Sequence, residues 1–357
     1  MRLKEALDEF RPKVNEALNR IFNDKIIKAR CYGEECVRFY ENLREFVLRG
    51  GKRLRPIALI MAYHAIKKPE RELDELVRAS TCIELLHNST LIHDDIIDQD
   101  TLRRGGPTFH IKYEQYFRRW CPTRANIYGM ALGILGGDEL FNMGFEVLLT
   151  SNFEPTRRLR ALEYYVMGYR EVVNGELLDL VMAISDYESL KLENYIDMVR
   201  LKTAALFEKA LAIGAVLANA SEEQLRYLRE YGVRMAEAFQ IQDDILGVYG
   251  EEKELGKPVG SDLREGKATI LIIEAMKKLP RREKETLKGL LGRPDISKGD
   301  VELVRRMLQK YGILQEVRDK AKALVEEAVE ALRKAHIRDE AYEFFVELAE
   351  FIIRRTH

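Results

Sequence analysis

The sequence predicts an all-α protein built as a single domain. Three observations carry this. Apolar residues recur three and four apart over most of the chain. No stretch of useful length alternates apolar and polar residues in the period-two manner of a strand. No linker, fixed-period repeat or low-complexity segment divides the 357 residues.

Leu3, Leu7, Phe10, Val14, Leu18 and Phe22 mark an amphipathic helix over residues 3–22. A second covers about 33–48 and stops at the Gly50-Gly51 turn. Pro56 opens the next helix. Gly51-Lys52-Arg53-Leu54-Arg55-Pro56 is therefore a basic loop at a helix N-terminus, where backbone N–H groups also favour anions. A basic surface turn is the other reading. A long helix is expected over about 73–100 and a Gly/Pro-marked loop over 103–108. The aromatic and basic stretch 109–125 suggests no task. Small residues from 126 to 150, with Gly129, Gly133, Gly136 and Gly137, predict a helix in close contact with its neighbours. Helices follow at about 155–184, 188–219 and 221–248, then a polar loop over 250–266. The remaining helices are expected at about 267–278, 282–291, 299–310, 313–335 and 338–355.

Apolar residues make up 46% of the chain, enough for a sizeable core, and the formal net charge of -1 argues against nucleic acid as the main partner. Cys31, Cys36, Cys82 and Cys121 form no C-x-x-C pair, so neither a zinc site nor a disulfide framework is indicated; Cys82 reads as a small core residue. The first residues lack an apolar signal region, and the longest apolar runs are too short for a transmembrane segment. A soluble, cytoplasmic protein is expected.

The chemistry concentrates in His87-Asn88-Ser89-Thr90-Leu91-Ile92-His93-Asp94-Asp95-Ile96-Ile97-Asp98, followed by Arg103-Arg104. Asp94 and Asp98, spaced i,i+4, share one helix face, and Asp95 lies about 100° round from them. Like charges one turn apart cost a few tenths of a kcal/mol, and a bridging divalent cation reverses that sign. His87 returns to nearly the same stripe. Acids beside paired arginines suit a polyanion held between metal ions and guanidinium groups; an Asp-rich surface helix is the plain alternative.

A second acidic pair, Asp243-Asp244, sits in the apolar setting Phe239-Gln240-Ile241-Gln242-Asp243-Asp244-Ile245-Leu246-Gly247, with Gln240 on the same face. Burying adjacent carboxylates costs several kcal/mol per ion unless they are paired or metal-bound; acids capping buried arginines would also meet that need. Lys202-Thr203 lies mid-helix among small apolar residues, where a buried lysine wants an anion and an outward-facing one does not. Lys257 and Lys267 flank a glycine-rich loop suited to closing over a diphosphate.

In this order and spacing, over roughly residues 40–275, these motifs resemble those of trans-isoprenyl diphosphate synthases, the polyprenyl synthetase family, and most of all the archaeal geranylgeranyl or farnesyl diphosphate synthases. The resemblance implies one bundle of mostly antiparallel helices around a deep apolar cavity, usually as a homodimer. It implies head-to-tail condensation of isopentenyl diphosphate with an allylic diphosphate (dimethylallyl, geranyl or farnesyl), assisted by three Mg²⁺ ions. Asp94 and Asp98 match the metal ligands on one side and Asp243 on the other. Asp95 and Asp244 would orient that shell through waters or hydrogen bonds. Arg103, Lys202, Thr203, Gln240, Lys257 and Lys267 match the allylic diphosphate site. Lys52, Arg55, His87 and Arg104 match the isopentenyl diphosphate pocket. Thr203 and Gln240 would turn oxygen dipoles toward the nascent cation. The departing diphosphate would take the last proton, and His93 is expected to be structural.

Two positions depart from the family pattern. Gly247 stands where many relatives carry a third Asp, and Glu176 where many carry Gln. Leu86, Ser89 and Thr90 match the family's chain-length floor, and one helical turn rises about 5.4 Å, on the order of one isoprene unit. Small Ser89 and Thr90 favour a C20 product, with C15 and C25 or longer as alternatives. A terpene cyclase would lack the isopentenyl pocket, a non-catalytic regulatory subunit would usually lose one acidic motif, and a calcium-binding scaffold would leave the basic residues unexplained.

Overall fold

The computed structural model describes residues 1–69, 71–250 and 260–354. Among them lie α1 (Leu3–Ala29), α2 (Glu34–Leu48), α3 (Leu54–Ile66), α4 (Leu73–Ile97), α5 (Phe109–Phe117), α6 (Ala125–Leu149), α7 (Pro155–Ala183), α8 (Leu192–Val199), α9 (Ala205–Leu217), α10 (Glu222–Tyr249), α11 (Ser261–Glu265), α12 (Ile270–Lys278), α13 (Arg281–Leu290), α14 (Lys298–Lys310), α15 (Ile313–Lys334) and α16 (Asp339–Arg354). The strand content of the described residues is one two-residue ribbon, β1 (Leu102–Arg103) paired antiparallel with β2 (Gly106–Pro107). The all-α class is as the periodicity predicts. No helix among the described residues is long and apolar enough to cross a membrane.

The helices gather into two compact units. One comprises Met1–Val166, Ala210–Ser221 and Arg338–Ala341; the other comprises the described parts of Met167–Lys209, Glu222–Ile337 and Tyr342–His357.

In the first unit α1 buries the predicted face, Leu3, Phe10, Val14, Leu18 and Phe22, and continues through Ile26 to Ala29. α4 packs on α1, α3 and α6. Its buried residues point in most directions, which is why it lacks a one-sided apolar stripe. The contact with α6 is as close as the glycines predict. A Cβ at Gly137 would stand 2.2 Å from His93 Nε2, and one at Gly144 only 2.8 Å from the Cys82 carbonyl. His93 is thus a packing residue, and Cys82 is buried. α4 stops at Ile97, short of the expected 100, and Asp98 caps it by donating its N–H to the Asp94 carbonyl at 2.8 Å.

The expected loop 103–108 holds the ribbon. Arg104 and Gly105 both adopt positive φ, +51° and +75°, the two-residue turn that matches strand twist. Segment 109–125 divides into α5 and a turn. Tyr113, Tyr116, Phe117 and Trp120 stack edge and face there, with Arg38 and Arg119 over the Tyr116 ring.

In the second unit α10 lies along α15, and α12 contributes Ile270, Leu271, Ile272 and Ile273 to a core shared with α8, α14 and α15. The helix expected over 188–219 is interrupted. Arg200–Ala204 forms a π-turn between α8 and α9, the local geometry that often marks functional positions. α7 presses against this turn, since a Cβ at Gly175 would lie 2.3 Å from the Lys202 backbone nitrogen. Part of the expected loop 250–266 folds as α11.

Candidate active site

The ribbon sets the arginines of the first unit. Arg49, the last residue before the Gly50 turn, is held by Glu45 and donates to the carbonyls of Arg103 (3.2 Å) and Pro107 (2.8 Å). Gly106 permits this, because a Cβ there would meet the Arg49 guanidinium at 2.4 Å. Docked in this way, the ribbon sends Arg103 and Arg104 to different partners. Arg103 Nε donates to Asp95 Oδ1, and Arg103 Nη2 reaches Asp94 Oδ2 and Asp100 Oδ2, each at 3.4 Å. Arg104 Nη1 reaches Asn88 Oδ1 at 3.5 Å.

Asp95 is fully buried, and its Oδ2 has no hydrogen-bond partner. Burial pushes its carboxyl up to about 7 against the pull of Arg103, with Asp94 and Asp100 adding to the rise. Asp94 is half-buried and Asp98 exposed. These are hard oxygen donors four residues apart at one helix end, a donor set that suits Mg²⁺.

Beside this end lies a basic cluster. Arg53 is buried, pairs with buried Glu84, and donates to Asn15 Oδ1 (2.9 Å) and the Val47 carbonyl (2.8 Å). Arg55 is half-buried, with a buried Nε lacking a partner. Burial, then Arg55, Arg104, Arg103 and Arg53, hold the His87 imidazole well below its usual pKa, so it is neutral. Lys52 is exposed on the same loop. Of the expected isopentenyl residues, Arg55, His87 and Arg104 are thus joined electrostatically, and Lys52 is a chain neighbour. Leu86 and Ser89 are fully buried, and the Ser89 hydroxyl has no partner. Thr90 donates its hydroxyl to the His87 carbonyl at 2.8 Å.

In the second unit, Asp244 is buried and takes three neutral donors: the Tyr195 hydroxyl (2.8 Å), the Gln240 amide nitrogen (2.9 Å) and the Ile270 backbone N–H (3.4 Å). Burial pushes its carboxyl up to about 7, Asp262 adds to the rise, and the donors oppose it. With its nitrogen committed to Asp244, Gln240 turns its oxygen to the Thr203 hydroxyl at 2.8 Å. Asp243, one residue before Asp244, is half-buried. Lys202, beside Thr203 in the π-turn, pairs with Asp179 (2.6 Å) and Glu176 (2.9 Å) of α7. Glu176 therefore serves to hold Lys202. Gly247 has a reason of its own: a Cβ there would lie 2.2 Å from Asp262 Oδ2, so a carboxylate from α11 fills the space of a side chain at 247. Lys267 pairs with Glu265 at 2.9 Å. Lys257 lies outside the described residues.

Sequence reasoning missed Arg49, Glu84, Asn88, Asp179, Tyr195 and Asp262. Glu84, with Asn88 four residues on, in an apolar helix was the one signal available: a carboxylate in that setting needs a cation or hydrogen-bond donors to satisfy it. The others are joined to their partners only through the fold.

The sequence profile of the polyprenyl synthetase family matches residues 37–308. The chain is 35% identical over 309 residues to the geranylgeranyl diphosphate synthase of Saccharolobus solfataricus, covering 86% of this chain and 87% of that one. It is also 35% identical to the geranylfarnesyl diphosphate synthase of Aeropyrum pernix, covering 86% and 91%. Its structure resembles the geranylgeranyl pyrophosphate synthase of Corynebacterium glutamicum, described as complexed with isoprenyl diphosphate and magnesium, with a TM-score of 0.90 at 28% identity over 98% of this chain and 99% of that one.

Proposed function

Because the chain belongs to the polyprenyl synthetase family and is a short-chain trans-prenyl diphosphate synthase, we propose that its product is all-trans geranylgeranyl diphosphate. The observation that carries the length is side-chain size along α4. Ser89 is small and fully buried, and Thr90 turns its hydroxyl back to the helix, leaving its methyl as the outward group. Neither residue has the bulk to stop a growing chain, whereas Leu86, one turn deeper, is fully buried and larger. Relatives named for C20 and for C25 products match at similar identity, so the floor residues decide between them. Ser89→Phe is expected to shift the main product to a shorter chain by chromatography of the dephosphorylated alcohols. An unchanged length would remove these residues from the floor.

In this reading Asp94, Asp98 and Asp243 would hold Mg²⁺, three ions as in the family pattern, with Asp95 and Asp244 orienting their surroundings. The metal supplies Lewis acidity that makes diphosphate a competent leaving group. Arg103, Lys202, Lys257 and Lys267 grip the allylic diphosphate, and Lys202 exchanges its carboxylate partners for the substrate's oxygens. Thr203 and Gln240 turn oxygens toward the allylic carbon as it gains positive charge. The fixed amide of Gln240 supports that role, because its orientation is set before substrate arrives. Lys52, Arg55, His87 and Arg104 hold isopentenyl diphosphate, and neutral His87 acts there as a hydrogen-bonding group. The enzyme works as a homodimer. Ile127, Met130 and Ile134, exposed at three- and four-residue spacing on α6, support this as the face that a second copy covers.

A further inference from the structure

Resting on the isopentenyl diphosphate pocket proposed above, we propose that Glu84 is the positioning residue of that pocket: its one buried carboxylate holds the Lys52–Arg55 loop through Arg53 and the Arg104 side chain through Asn88.

The loop needs such an anchor. Gly50, Gly51 and Arg53 all have positive φ, +71°, +99° and +56°, so three of four consecutive residues are left-handed. For Arg53, which has a side chain, that backbone is strained and persists only where the surroundings over-determine it. Arg53 supplies the constraint by reaching three elements at once: Asn15 of α1, the Val47 carbonyl of α2 and Glu84 of α4. Glu84 is the charged acceptor among the three. Arg53 and Glu84 are 2% and 3% exposed, so solvent cannot replace either partner.

The second arm starts from the same carboxylate oxygen. Asn88 Nδ2 donates to Glu84 Oε1 at 3.1 Å and to the Glu84 carbonyl at 2.8 Å. Both hydrogens of that amide are then committed to Glu84, which turns its oxygen the other way, to Arg104 Nη1 at 3.5 Å. Glu84 also acts on Arg55 and Arg104 as the opposing charge that counters their burial and the repulsion of neighbouring arginines. One carboxylate thus steadies three arginines and leaves the cluster with net positive charge for an incoming diphosphate. Glu84 touches no substrate itself; it acts through Arg53 and Asn88.

Glu84→Gln keeps the shape and one acceptor and removes the charge. The expected result is an apparent KM for isopentenyl diphosphate raised roughly 10- to 100-fold, with the KM for the allylic diphosphate within about twofold of the parent. Both KM values rising together, or kcat falling alone, would overturn the role. If that variant does not fold, Asn88→Ala tests the second arm by the same split, and its failure to raise the isopentenyl KM also overturns the proposal. Lys52→Ala and Arg55→Ala are the references. If neither raises that KM, the pocket reading falls and takes the role of Glu84 with it. If both raise it and neither network variant does, only Glu84's role falls.

Discussion

The two acidic ends look alike in sequence and are built by opposite means. Each has a buried Asp raised to about 7, Asp95 in one and Asp244 in the other, next to a half-buried neighbour. Asp95 is compensated by a charge, the Arg103 guanidinium, carried in on a ribbon from outside the helix. Asp244 is compensated by dipoles: a tyrosine hydroxyl, a side-chain amide and a backbone N–H. Buried carboxylates therefore do not need arginines, and a D-D pair alone does not say which solution surrounds it.

The largest effect should come from removing the less buried acids. Asp94→Ala and Asp243→Ala are each expected to lower kcat on the order of 10³-fold, comparable to deleting a key electrostatic contact to the reacting charge. The double variant should cost little more than either alone if both acids serve one reaction. Multiplicative losses in steady-state assays would mean that the two ends act independently.

A smaller effect separates charge from dipole. Arg103→Gln strands a buried carboxylate and should cost about 3 kcal/mol of stability. Tyr195→Phe removes one neutral donor of several and should cost about 1–2 kcal/mol. Urea denaturation of both variants checks the order, and equal losses would mean that charge and dipole compensate these acids equally.

The smallest effect is one of pH. The folded-state pKa of Asp244 is raised, so the stability tied to this group is present below its unfolded value near 4 and is lost as pH rises through about 7. The melting temperature of the metal-free protein should therefore fall relative to that of Asp244→Asn between about pH 4 and 7. The same sign is expected for Asp95 against Asp95→Asn. A pH-independent difference would show that these acids ionise in the fold as they do in the unfolded chain, with no upward shift.

Much of this was legible in the chain. The spacing of Leu3, Phe10, Val14, Leu18 and Phe22 marked a helix, and the glycines of α6 marked a close approach, because local periodicity and the absence of a Cβ act without distant partners. The π-turn at Arg200–Ala204 was not legible. It arises where α7 presses on the chain at Gly175, and a single-sequence pattern continues helical through it. Gly247 read as a missing acid until α11 brought Asp262 against it.

The sequence by itself determined the helices, the two acidic ends and the family chemistry they point to, because those depend on residue type and on spacing within one turn. Only the tertiary structure decided how each charge is satisfied across the chain: Asp95 by Arg103, Asp244 by Tyr195, Lys202 by Glu176 and Asp179, and Arg53 by Glu84. Electrostatic compensation is set by distance and burial, and residues 8 to 49 positions apart in the chain acquire those only when the backbone closes on itself.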